Sequence, residues 1–190
     1  MKKGGIITLG VIVAVILIVV FSAIGGYNGL VSGRESVSSS FSQIDVQLQR
    51  RTDLIPNLVS TVKGFAAQEQ DVIDSVTTAR AQLAGAQTVG EKAEADSALN
   101  SALSRLMVIV ENYPELKSDA NFRQLSDELA GTENRISVAR KDYNEAVQSY
   151  NNMVVRFPNN IWAGMFGFQK AEYFEAAAYS DQVPEVDFSK

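Results

Sequence analysis

Apolar residues fall into two regimes along this chain of 190 residues. An unbroken run near the N-terminus is followed by recurrences at intervals of three and four. The run from Ile6 to Ile24 reads IITLGVIVAVILIVVFSAI, and no charged residue lies between Lys3 and Arg34. Coiled as a helix, it rises about 28 Å, which matches the ~30 Å hydrocarbon core of a bilayer. Thr8 and Ser22 can return their hydroxyls to the helix backbone. A transmembrane helix ending at Ile6 and Ile24 is therefore expected. A cleaved secretory signal is the rival reading. Its apolar region should be shorter, and Ala23-Ile24-Gly25 makes a mediocre cleavage site. Lys2 and Lys3 flank one end, and Arg34 is the first basic residue beyond the other. That asymmetry favours a cytoplasmic N-terminus with the body on the outer side.

Beyond the run, the spacing predicts four amphipathic helices. Leu30, Val37, Phe41, Ile44 and Leu48 mark the first, running on from the membrane span past Gly25-Gly26 and ending near Arg50-Arg51. A short turn should follow, with Asp53 capping the second helix and Pro56 in its first turn, where no amide proton is needed. Its stripe is Leu58, Val62, Phe65, Val72, Val76, Ala79 and Leu83, with Glu69 the polar member. Residues 85–90 read as a loop. The third helix starts near Glu91, buries Ala95, Ala98, Leu99, Ala102, Leu106, Ile109, Val110 and Tyr113, and stops at Pro114. The fourth has the strongest period: Phe122, Leu129, Ile136, Tyr143, Tyr150 and Phe157 are spaced by seven. Leu125, Thr132, Ala139, Ala146 and Met153 lie three after the first five. This is an a/d seam, and Pro158 ends it. Short connections make neighbours antiparallel, so the fold expected is all-α: a transmembrane helix leading into an up-and-down four-helix bundle. Ile161, Trp162, Met165, Phe166, Phe168, Tyr173 and Phe174 suggest a short aromatic helix against the bundle or the membrane interface. The domain boundaries expected are 1–26 for the anchor, 27–175 for the bundle and 176–190 for an extended acidic tail.

Composition narrows the chemistry. There are 17 basic and 22 acidic residues, for a formal charge of −5. An acidic body lacks the positive footprint with which proteins displace counterions from nucleic acid, so no nucleic-acid partner is expected. Cysteine and histidine are both absent. Disulfides, thiol nucleophiles, Cys/His metal sites and imidazole relays are thereby excluded. Lys63-Gly64 lacks the upstream glycine loop of a phosphate cradle. Asp127-Glu128 and the pair Glu172 and Glu175 are carboxylates on which nothing converges. No catalytic, cofactor-binding or metal-ligating residues are expected, and the chain reads as a non-enzyme.

Several strings resemble the LemA family of bacterial membrane proteins. Tyr27-Asn28 and Leu30-Val31 follow the anchor. Ile44-Asp45-Val46-Gln47-Leu48 runs into Arg50-Arg51 and then Asp53-Leu54-Ile55-Pro56-Asn57-Leu58-Val59 and Thr61-Val62-Lys63-Gly64-Phe65. Further on come Glu111-Asn112-Tyr113-Pro114-Glu115-Leu116-Lys117, Thr132-Glu133-Asn134-Arg135-Ile136, Ala139-Arg140, Tyr143-Asn144, Tyr150-Asn151 and Phe157-Pro158. The resemblance runs from the anchor to about Phe174. It implies a single N-terminal pass through the inner membrane and a domain of long antiparallel helices. It implies no reaction, and it suggests work beside other membrane proteins, such as a membrane zinc peptidase.

Three groups of residues are candidates for interaction. Asp45, Arg50, Arg51, Asp53 and Asn57 cluster at the expected first turn, either as a docking surface or as turn chemistry. Glu133, Arg135 and Arg140 lie along the fourth helix, either as pairs between subunits or as its solvated face. Trp162 and Phe166 belong to the aromatic segment. Tyr143, Tyr150 and Phe157 read as core packing, with a ligand groove as the alternative. The function expected is that of a membrane-anchored scaffold that self-associates laterally, with the lipid bilayer and further copies of itself as partners. An accessory subunit of a membrane peptidase is the alternative, and an unidentified enzyme the third.

Overall fold

A computed structural model describes residues 3–175; the expected acidic tail at 176–190 lies outside them. The described residues are all-α, with no strand. In chain order the helices are α1 (Lys3–Phe65), α2 (Gln70–Gly85), α3 (Val89–Val110), α4 (Pro114–Ser118), α5 (Ala120–Val155) and α6 (Asn159–Phe166). α1, α2, α3 and α5 are long, which matches the expected number of helices though not the expected first boundary; α4 and α6 are short. The chain forms two compact units, whose boundaries cross α1 after Ser40 and α5 after Lys141.

The first unit holds residues 1–40 and 142–171. From Ile7 to Ile24 the large apolar side chains of α1 are exposed, so this stretch is a candidate membrane span by length and composition. Leu30 and Val37 then turn inward, and Tyr143, Val147 and Tyr150 of α5 are buried in the same unit. The α5 seam steps from the expected Ala146 to Val147, because a helix of 3.6 residues per turn drifts against a strict repeat of seven. Phe157 leaves the seam altogether and is 76% exposed. α5 ends at Val155, two residues before it, and the turn into α6 swings Phe157 outward.

The second unit holds residues 41–141 and, of the described C-terminal residues, 172–175. Four helical segments enclose its core: the C-terminal part of α1, α2, α3 and the first part of α5. Ile44, Leu48, Ile55, Leu58 and Val62 of α1 are buried in this unit, as are Ile73, Val76 and Leu83 of α2, Leu99 and Leu106 of α3, and Phe122, Leu129 and Ile136 of α5. The α3 N-terminus is closed by a capping box. Thr88 Oγ1 accepts from the Glu91 amide, and Glu91 accepts from the Thr88 amide. The amides of Thr88 and Gln87, both donating to the Glu91 carboxylate, hold it below its ordinary pKa.

The first boundary differs from expectation. There is no turn at Arg50–Asp53; α1 runs through it with Pro56 inside the helix. A mid-helix proline leaves the carbonyl four residues upstream without its amide partner. Here that carbonyl belongs to Thr52, and Arg80 Nε of α2 donates to it at 2.8 Å. The turn falls instead at residues 66–69, which burial of Ala66 and two side-chain bonds hold in place. Tyr113 Oη donates to Glu69 Oε1 at 2.7 Å and accepts from Gln68 Nε2 at 2.8 Å. Ile73 replaces Val72 as the buried residue, since the break resets the phase of the stripe.

The substitute bond has a measurable weight. Arg80→Met should cost about 1 kcal/mol in urea unfolding, near the lower limit for orphaning a buried acceptor, since Arg80 itself is half-buried. In a Pro56→Ala background the amide of residue 56 can serve Thr52, and the cost should shrink. Additive losses in that double-mutant cycle would refute the pairing.

Candidate functional site

Two helices in the second unit place a charge where their period calls for an apolar residue. On α1 the positions Leu30, Val37, Ile44 and Leu58, spaced by sevens, are buried, and Arg51 stands in the same series. On α3, Asp96 begins the series completed by Leu99, Leu103, Leu106 and Val110. Both charges are almost wholly enclosed: Arg51 is 3% exposed and Asp96 0%. A charge so placed costs several kcal/mol unless it is paired and hydrogen-bonded.

The pairing is provided by three helices. Arg51 Nη1 donates to Asp96 Oδ1 at 2.8 Å and to Glu133 Oε2 of α5 at 2.6 Å, and Arg51 Nη2 donates to Asn100 Oδ1. Arg140 of α5 takes the other Asp96 oxygen, Oδ2. Its guanidinium also lies 4.9 Å from the ring centroid of Phe174, a cation–π contact. Two guanidiniums and two carboxylates thus make a neutral set. Burial pulls the pKa of Arg51 down, and Glu133 opposes that pull. Burial also lowers Arg140, and repulsion from Arg51 adds to it. An arginine lowered from such a high starting value still holds its charge at neutral pH. Both Asp96 oxygens are engaged by guanidinium, which makes this carboxylate a tie between helices and a poor general base. Among the described residues no group of three acidic side chains could hold a metal ion.

The candidate residues therefore part company. Arg51, Glu133 and Arg140 converge in the buried network, which is neither turn chemistry nor a wholly solvated face. Asp45 pairs with Lys92 of α3 beside an open groove of about 390 Å³. Arg50 reaches Glu128 of α5 from an exposed position. Asp53 caps nothing; it is exposed and accepts from Gln49 within α1. Asn57 is exposed on the same helix, and Arg135 is exposed on α5. Sequence reasoning does not single out Asp96 and Asn100, although an acidic residue three positions before Leu99, in phase with the Leu99–Val110 apolar series, is a readable signal.

Trp162 and Phe166 occupy the first unit. α6 lies against α1 where the apolar run ends. A methyl group placed on Gly26 would come within 2.7 Å of Trp162 Cδ1 and 3.1 Å of Asn159 Oδ1. Tyr27 meets the Phe166 ring edge-on at 5.1 Å and the Phe168 ring at 5.8 Å. Gly167, with φ +74°, ends α6 in the left-handed conformation, and the Phe168 amide bonds back to Ala163 at 2.9 Å. Asn151 then fixes the outgoing chain, donating to the Ala171 carbonyl at 3.0 Å and accepting from its amide at 2.8 Å. The aromatic segment is thus a docked helix, with Phe168 and Phe174 buried and Phe166 half-exposed.

The residues so arranged have relatives. Magnetosome protein MamQ 2 of Paramagnetospirillum magneticum is 29% identical over 198 aligned positions, covering 90% of this chain and 73% of its own. Magnetosome protein MamQ of Magnetospirillum gryphiswaldense is 27% identical, covering 82% of this chain and 66% of its own. Protein LemA of Metamycoplasma hominis is 23% identical, covering 88% and 75%. The LemA family model matches residues 40–188. That span takes in the buried charge network, the Asn151 clamp and α6 together, and the chain belongs to the LemA family.

Proposed function

We propose that this chain is a membrane-tethered, non-enzymatic helical scaffold, lodged in the bacterial inner membrane with its body on the outer side. It self-associates laterally and presents its bundle to other proteins of the cell envelope. The observation that carries this reading is α1. The helix that offers bare apolar side chains from Ile7 to Ile24 goes on to supply buried residues from Leu30 to Val62. Anchor and body are one element. The engaged state of Asp96 and Glu133 supports a structural role over catalysis, and the names of the relatives state no reaction. Lateral association is supported by Gly25 and Gly29, one helical turn apart with open space over both. Small residues at that spacing let helices in lipid approach closely.

The full chain solubilised in detergent should have a mass several times 20.6 kDa. Cross-linking in native membranes should give the same ladder. A single copy by both measurements overturns self-association. A peptidase recovered in equal amount with single copies would instead favour the accessory-subunit reading. Protease added to intact spheroplasts should digest the body; protection would reverse its sidedness.

A further inference from the structure

We propose that α6 is a second membrane contact: a short helix lying in the lipid headgroup layer beside the point where α1 leaves the hydrocarbon. This rests on the reading of α1 as a membrane span. The level of α6 is fixed by Gly26, whose bare backbone Trp162 covers. Gly26 lies two residues past Ile24, so the contact falls about 3 Å beyond the end of the apolar run. The headgroup region begins there and extends several ångströms outward.

The chemistry of the segment suits that layer. Residues 157–169 carry no charge, and Arg156 and Lys170 bracket them. Ile161, Met165 and Phe166 are roughly half-exposed or more on α6, and Phe157 and Val155 precede them in the same state. Tyr27, three residues past the end of the apolar run, joins Phe166 to the top of the span. In water such a cluster would be a liability for a helix this short. Laid in an interface, its apolar residues reach acyl chains while flanking cations reach phosphate. Trp162, seated on Gly26 at this level, adds an indole at the depth where indoles concentrate.

The chain has one tryptophan and no cysteine, so probes can be placed singly. Full-length I161C and M165C would carry nitroxide labels in vesicles of phosphatidylcholine and phosphatidylglycerol. I16C, inside the span, and V138C, on an exposed bundle position, are the references. Oxygen, concentrated in lipid, should relax the labels at 161 and 165, with loss of relaxation by an aqueous nickel chelate. Labels at 161 and 165 that behave like the one at 138 overturn the proposal. Labels shielded from both agents do so too, because protein then covers α6. The label at 16 separates the two readings: lipid exposure there with water at 161 and 165 removes α6 alone, whereas water at all positions removes the anchor as well. The unsubstituted chain gives an independent check. Trp162 emission should fall when the lipids are brominated at shallow acyl carbons, and unchanged emission overturns the proposal.

Discussion

Asp96→Ala should lower the unfolding free energy by about 3–5 kcal/mol, the cost of stripping one partner from a buried ion pair. The substitution leaves Arg51 nearly enclosed and Arg140 beside it, two like charges with Glu133 as the remaining anion. Urea unfolding of the full chain in detergent, followed by helical circular dichroism, would measure it. The arginines alone are not the source of stability. In the triple variant Arg51→Met, Asp96→Leu, Arg140→Met, apolar side chains of similar volume replace the charges, and the loss should be small or reversed. A loss below about 1 kcal/mol for Asp96→Ala would mean that water reaches the set, as at exposed pairs.

Gly26→Leu should expel α6 from its seat. The new side chain would overlap the Trp162 ring and the Asn159 amide, and an aromatic ring has no slack end to swing away. The expected cost is about 3 kcal/mol, the upper part of the range for overpacking. The signal is local: emission of the one tryptophan shifts to the red, while the helical content of the second unit is retained. Gly33→Ala makes a useful contrast. Its added methyl meets mainly the terminal Cε of Met153, a flexible group that can move aside, and comes within 3.1 Å of the Tyr150 ring, so its cost should be smaller but not nil. An unchanged emission spectrum in Gly26→Leu would show that Trp162 does not rest on α1.

Period and composition made the helical class, the candidate membrane span and the α5 series from Phe122 to Tyr150 readable. Local signals failed at Pro56, which marks a helix start by its own chemistry. The donor that replaces its missing amide belongs to Arg80, and no rule confined to a short window can see it. The true break at residues 66–69 falls in Ala-Ala-Gln-Glu, a sequence with good helix propensity. Packing of Ala66 and the bonds to Tyr113, 44 and 45 residues away, override that propensity. The network was half legible. Arg51, Glu133 and Arg140 drew notice as polar residues, but their burial depended on Asp96. That residue sits in an alanine-rich stretch just before the leucine series that it begins.

Asp96 has its partners 45 residues upstream and 44 downstream. A nascent chain therefore passes through a long interval in which this anion, and Arg51 before it, has no complete complement. Chains cut short before Arg140 should never settle, however many helices they contain. Vectorial synthesis delivers the apolar N-terminal run first and the final counterion late, so closure of the second unit waits for most of the polypeptide. Incomplete copies would stay open and within reach of quality-control proteases, a proofreading of length written in electrostatics.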